Sequence, residues 1–168
     1  MSSIQSLRLA HLKIQLITIG GLKQDYAQEG CSLFEKRLKG LAKFELKELR
    51  DAKRAKTPDI DRWRREEAER INQALKGAPF WIALDERGES LSSRQFAKLI
   101  QKAQNRAYHS LPFVIGGPDG LDPKLRETAP KMISLGPMTM PHELARLVLL
   151  EQLYRAHAIL ANLPYHRD

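Results

Sequence analysis

Three short stretches of the chain carry groups able to hold an organic ligand: Ala83-Leu84-Asp85, and the glycine-bearing Ile115-Gly116-Gly117-Pro118-Asp119-Gly120 and Leu135-Gly136-Pro137-Met138-Thr139-Met140. Glycine lets main-chain N–H and C=O groups approach a ligand with no Cβ in the way. Each stretch follows an apolar run that reads as a strand, and in a parallel sheet ligands settle in the crevice beyond the carboxyl ends of the strands. One such loop is a common turn, whereas three at equivalent strand ends suit a small molecule held by main chain. The chain closes on Tyr165, His166, Arg167 and Asp168, which together offer stacking, proton transfer and phosphate binding. Taken alone, those four also read as a plain polar terminus.

Other chemistries are disfavoured by spacing. No G-x-x-x-x-G-K-[ST] occurs, and Gly116, Gly117 and Gly120 lack G-x-G-x-x-G spacing after the first strand, which argues against a nucleotide triphosphatase or a nicotinamide enzyme. Cys31 is the sole cysteine and the five histidines form no H-x-x-x-H pair, so no metal is expected. A lone cysteine forms no internal disulfide, which points to a reducing, cytoplasmic setting. No run approaches the roughly 18 apolar residues of a membrane helix, and the opening MSSIQSLRLAHLK does not resemble a secretion signal. No membrane association is expected.

The elements that must position the loops follow from hydrophobic periodicity. Apolar runs predict strands at residues 12–19, 44–49, 79–85, 111–117 and 132–136. Helical spacing predicts helices over about 24–41, from Thr57-Pro58 with Ile60, Trp63, Ile71 and Leu75 as an apolar stripe, from Ser92 or Ser93, from Pro123, and over 141–160. Gly30 is a weak point in the first helix. Strands alternating with helices, and buried on both faces, predict a mainly parallel α/β sheet covered by helices on both faces. With 168 residues and no internal repeat or linker, one domain is expected over 12–168, residues 1–11 being a possible N-terminal extension. The last helix carries Leu147, Val148, Leu149 and Leu150 in succession, so apolar side chains wrap most of it; its second buried surface suits another subunit.

Charge points to a polyanion. The net charge is +8 and the pI about 9.7, and residues 36–56 hold nine Lys or Arg against three Asp or Glu. Residues 57–77 hold five of each sign and read as a solvated helix face.

The strings FVIGGPDGL and SLGPMTMPHELARLVLLEQLYRA and the ending NLPYHRD resemble the bacterial ribosomal RNA large-subunit methyltransferase H family of the SPOUT superfamily, a resemblance that LKIQLITIG and WIALDERG extend to most of the chain. It implies a C-terminal deep trefoil knot, which periodicity could not show, and a homodimer. It also implies S-adenosylmethionine as methyl donor, with the N3 nitrogen of a pseudouridine in 23S ribosomal RNA of the assembled ribosome as acceptor. On this resemblance the cofactor site maps to Leu84, Asp85, Gly116, Gly117, Leu135, Gly136, Pro137, Met138, Thr139, Met140 and Pro141. The catalytic set maps to His142, Arg146, Tyr154, Arg155, Tyr165, His166 and Arg167.

Methyl transfer to an imide nitrogen needs orientation, a proton acceptor and a cation for the developing charge, with no metal. His142, at the start of the last helix, should resist protonation because the helix dipole repels positive charge there. Cleft and tail are expected to come from different subunits. The alternatives are a knotted methyltransferase acting on another RNA such as transfer RNA, a non-enzymatic ribosome-binding factor, and, more distantly, a flavodoxin-like redox module.

Overall fold

The computed structural model describes residues 11–165; the expected extension, His11 apart, and the tail residues His166, Arg167 and Asp168 lie outside the described residues. Ten elements alternate along the chain: β1 (Lys13–Ile19), α1 (Asp25–Lys39), β2 (Lys43–Leu49), α2 (Ile60–Ala74), β3 (Ile82–Ser90), α3 (Ser93–Asn105), β4 (Ser110–Ile115), α4 (Pro123–Thr128), β5 (Lys131–Ser134) and α5 (His142–Leu160). All five strands pair in parallel, in the order β2-β1-β4-β3-β5.

Successive side chains on a strand point to opposite faces, and β1 separates its core accordingly. Ile14 and Leu16 pack with Phe96, Phe113, Leu149 and Leu153 under α1, α3 and α5. Ile17 and Ile19 pack with Ile71, Val114, Leu121 and Leu125 under α2 and α4. Capping fixes the helix starts. Ser92 and Gln95 form a reciprocal capping box on α3, and the Asp122 carboxylate accepts from Lys124 and Leu125 N–H at the start of α4. The expected start at Thr57-Pro58 moves two residues on, because Asp59 accepts from the N–H of Arg62 at 3.0 Å and so becomes the cap of α2. That shift leaves Ile60 43% exposed and outside the apolar stripe, which Trp63, Ala68, Ile71 and Leu75 form instead.

Two glycines are required by packing. Gly30, in mid-α1, lets α5 approach: a Cβ there would lie 2.7 Å from Leu147 Cδ1. Gly88 sits in the irregularity of β3 between Leu84 and Glu89, both of which pair with Ile133. A Cβ at Gly88 would lie 2.4 Å from the main-chain carbon of Ile133, which has no rotamer by which to yield. Gly88→Ala is expected to cost about 1–3 kcal/mol through overpacking, lowering the thermal midpoint by about 2–4 °C per kcal/mol. Gly21→Ala, whose new Cβ would meet nothing nearer than 3.5 Å, should be close to neutral; equal midpoints for the two variants in calorimetry would refute this account.

Candidate functional site

The expected strand end at Asp85 is not observed: β3 runs on to Ser90, so Leu84 and Asp85 lie within it, at its irregularity, beside the loops that leave the parallel strands β4 and β5. They bound a cleft of about 710 Å³ lined by Leu84, Asp85, Gly116, Gly117, Leu135, Gly136, Met138, Thr139, Met140, Pro141 and His142. Pro137 belongs to the same loop without lining the cleft. Three stretches up to about 50 residues apart in sequence therefore form one concave surface, within the usual range of small-molecule sites.

Local chemistry sets the loop shapes. Gly116 and Gly117 answer first to the protein itself. A Cβ on Gly116 would lie 2.9 Å from the backbone of Gly120 and Leu121, and one on Gly117 would lie 3.1 Å from Glu67 Oε2 and from Ile19. Gly120 adopts φ +78° and Gly136 φ +139°, conformations that L side chains rarely hold. Ser134 Oγ accepts from Gly136 N–H at 3.0 Å and donates to the Gly136 carbonyl at 2.7 Å, which fixes the turn into the last loop. Thr139 Oγ1 donates to Glu86 Oε2 at 2.8 Å. The Asp85 carboxylate accepts from the N–H of Arg87 at 3.0 Å and pairs with Arg126 at 3.6 Å. Arg64, Arg87 and Arg126 share the cleft with Asp85, Glu86 and Asp119, so its walls suit a ligand carrying both signs of charge. Met138 is 75% exposed at the rim.

His142 reaches the cleft from the first turn of α5. Its pKa is lowered first by burial, then by Lys23 and Arg146, against an opposing pull from Glu143; the expected direction stands, with burial as the leading cause. Glu143 faces away. Burial pushes its carboxyl upward, but hydrogen bonds from Gln24 N–H at 2.9 Å and Lys23 N–H at 3.0 Å outweigh this and hold it below the ordinary value.

The remaining candidate residues lie elsewhere. Arg146 is buried on the α1 side of α5, where it donates to Glu48 Oε2 at 2.7 Å and faces Glu35 at 3.7 Å; it does not line the cleft. Tyr154, Arg155 and Tyr165 assemble at the far end of α5. There Glu151 accepts from Arg155 Nη2 at 2.7 Å and from the Tyr165 hydroxyl at 3.1 Å, and the Tyr154 and Tyr165 rings meet edge to face at 4.6 Å. Arg155 lies over the Tyr165 ring at 4.9 Å, while Arg37 of α1 lies over Tyr154 at 5.9 Å. Thirteen helical residues separate His142 from Arg155, about 20 Å along the axis. His166 and Arg167 lie outside the described residues.

Sequence reasoning left several residues out of the site. Glu151 organises the tail cluster, and Arg64, Arg87 and Arg126 line the cleft. Glu67 is 3% exposed yet stood among the polar residues of a charged run; only its place one helical turn after Trp63 signalled the buried face. Among the described residues, no three His, Cys, Asp or Glu side chains are grouped to hold a metal ion, and no helix is long and apolar enough to cross a membrane.

Comparison with known proteins agrees with this layout. A family model described as a predicted SPOUT methyltransferase matches residues 12–166. The chain is 39% identical over 159 residues to the ribosomal RNA large subunit methyltransferase H of Streptococcus gordonii, covering 93% of this chain and 100% of that one. It is 41% identical over 155 residues to the protein of the same name from Syntrophotalea carbinolica, covering 92% and 99%. Among solved structures it is similar to a probable methyltransferase from Bordetella pertussis Tohama I, with a TM-score of 0.54 and 15% identity over 93% of this chain and 99% of the other. That last likeness bears on the fold alone.

A buried histidine, His157, places Nδ1 2.8 Å from the Leu153 carbonyl, and burial lowers its pKa despite that bond. The unfolded chain takes up a proton at this residue near the ordinary pKa of about 6.5, before the folded chain does. The neutral buried ring thus contributes stability that is present above about pH 6.5 and is lost as pH falls toward the lowered folded value. Urea unfolding at pH 7.5 and 5.5 should show this loss in the parent protein and a smaller one in His157→Gln; an identical loss would contradict the assignment.

Proposed function

The chain belongs to the SPOUT methyltransferase family, and from that premise we propose that it methylates large-subunit ribosomal RNA. The full reading is transfer from S-adenosylmethionine to the N3 nitrogen of a pseudouridine in the assembled ribosome, by a cytoplasmic homodimer. The observation that carries it is the convergence of Leu84 and Asp85 of β3 with the loops after β4 and β5 on a single cleft that His142 enters from α5.

The residues present fit the cofactor. Leu84, Leu135 and Met140 offer apolar surface for a purine, main-chain groups of the loop after β5 are available to its polar edge, and Asp85 supplies a carboxylate for a cationic ligand. When bound, S-adenosylmethionine supplies a methyl carbon made electrophilic by its sulfonium. The protein must then orient the acceptor, remove a proton from a weakly acidic imide and stabilise the charge left behind. Burial keeps His142 in the neutral form that can accept a proton. Arg155, held by Glu151 beside Tyr154 and Tyr165, presents the cation and a stacking surface; His166 and Arg167 belong to the catalytic set on the family resemblance. Arg146 supports this set indirectly, by fastening α5 to β2 and α1.

A rigid α5 keeps the Tyr154–Arg155–Tyr165 cluster about 20 Å from His142 in the same chain. In the proposed dimer the cleft of one copy is completed by the tail of the other, related by a two-fold axis. The knot implied by the family places the loops after β4 and β5 together, in keeping with their shared cleft. Transfer RNA remains the competing substrate. A non-enzymatic ribosome-binding role is disfavoured by the complete loop set around the cleft.

Labelled methyl transfer to assembled ribosomes, separated subunits and bulk transfer RNA, with nucleoside mass spectrometry, should place N3-methylpseudouridine chiefly in assembled ribosomes. Label in transfer RNA alone would replace this reading with the competing one. Removal of residues 165–168, or Arg155→Ala, should lower the rate at least about 100-fold while S-adenosylhomocysteine still binds. Mixing His142→Ala with Arg155→Ala subunits should restore about one quarter of the rate, the share of sites left whole by random pairing; no restoration would refute the shared site.

A further inference from the structure

The segment after β2 carries the densest positive charge of the chain, which recommends it as a surface for a polyanion. The structure engages part of that charge inside the protein. Arg54 stacks over the Trp63 ring at 4.4 Å and pairs with the Asp119 carboxylate at 2.6 Å. Asp119 stands in the glycine loop at the cleft. Its main-chain carbonyl is gripped by Arg64 of α2, which donates through Nε at 2.8 Å and Nη2 at 2.6 Å. Glu67, one helical turn further on, accepts from Ala52 N–H at 3.1 Å and lies against Gly117.

These contacts join three separate pieces of chain: residues 50–54, one face of α2 and the loop 116–120. The loop needs such external ties. Its internal support is the narrow turn in which Gly120 N–H meets the Gly117 carbonyl at 3.0 Å, and Gly120 itself stands at φ +78°. A guanidinium that donates twice to one carbonyl fixes direction as well as distance. Arg54, meanwhile, neutralises a carboxylate oxygen that has no exposure to water.

We propose that Arg64 and Arg54 are positioning residues of the methyltransferase site, acting through Asp119 to hold the loop 116–120 in the shape that accepts the cofactor. The inference rests on the cofactor reading of the cleft. It makes part of the basic segment a component of the cofactor site, with Arg50, Lys53 and Lys56 left to face a polyanion.

The test is S-adenosylhomocysteine binding by calorimetry, alongside thermal unfolding, for the parent protein and for Arg64→Ala, Arg64→Lys, Arg54→Ala, Asp119→Asn and the Arg54→Ala/Asp119→Asn double variant. Arg64→Ala should weaken binding about tenfold or more, the size of a charged hydrogen bond. Arg64→Lys should recover only part of this, because an ammonium does not reproduce the two-pronged grip. The double variant should bind no worse than Arg54→Ala, since the two residues act on one contact. At saturating S-adenosylmethionine the turnover of Arg64→Ala should stay within about twofold of the parent, with the loss in KM. Lowered thermal midpoints with unchanged affinity would overturn the proposal by showing a merely structural role, as would single-variant losses that add fully in the double variant. If the parent protein itself fails to bind S-adenosylhomocysteine, the cofactor reading falls and takes this proposal with it.

Discussion

The fastening of α5 is the constraint on which the rest of the molecule depends. This helix spans nineteen residues, with Leu149, Leu150, Leu153, Ala156 and Ala158 buried against its neighbours. Leucines cannot by themselves choose a register, because each will pack against several alternatives. Two charged residues in the first turns of α5 narrow the choice. Glu143 takes the N–H groups of Lys23 and Gln24 at the entrance to α1, and Arg146 reaches Glu48 at the end of β2. Sliding α5 by one turn would strand a buried carboxylate and a buried guanidinium together, each far costlier than a misplaced methyl group. The position of His142 at the cleft and of Arg155 at the far end are both consequences of that one register.

Nearly every element was legible in the sequence, for reasons that differ along the chain. β1 alternates and then fills with β-branched residues, β4 is short and almost wholly apolar, and α3 announces itself by a serine followed at three residues by glutamine, with Phe96 and Ile100 inward. What blurred was the start of α2, where threonine-proline and aspartate both qualify as a beginning. The aspartate prevails because its carboxylate accepts the N–H three residues on. Spacing likewise placed Ile60 on the apolar stripe, but as the first residue of α2 it stays exposed.

The site was legible as three neighbouring stretches, although β3 runs on past Leu84 and Asp85 instead of ending there, and it was illegible as a network. That glycines would follow β4 could be read directly; that Gly117 yields room to Glu67, a residue fifty positions earlier, could not. Glutamate in a charged run is ordinarily a solvated residue, and periodicity cannot say which member of such a run turns inward. The separation of His142 from Arg155 was implicit in any straight helix, yet its importance emerges only when the cleft is known to lie at one end. Arg146 shows the converse: the family resemblance grouped it with the catalytic set, but here its side of α5 faces Glu48 and Glu35 instead of the cleft.

The charge distribution shows why net charge is a poor guide to what each cation does. Arg54 and Arg64 could both be counted toward a polyanion surface, but Arg54 is neutralised by Asp119 and Arg64 is spent on a main-chain carbonyl. Coulomb attraction to a distant phosphate falls off over a Debye length of about 8 Å at physiological salt, whereas a guanidinium at 2.6 Å from a carboxylate oxygen that is itself buried acts at contact distance, where salt screens it far less. Engagement of this kind is local and cannot be exchanged for long-range attraction without leaving Asp119 bare. Exposed cations such as Lys53 and Lys56 carry no such obligation and can shed their counterions to an incoming polyanion. One basic stretch can thus divide its labour: some cations shape the cofactor's surroundings and their neighbours face outward to the polymer being modified.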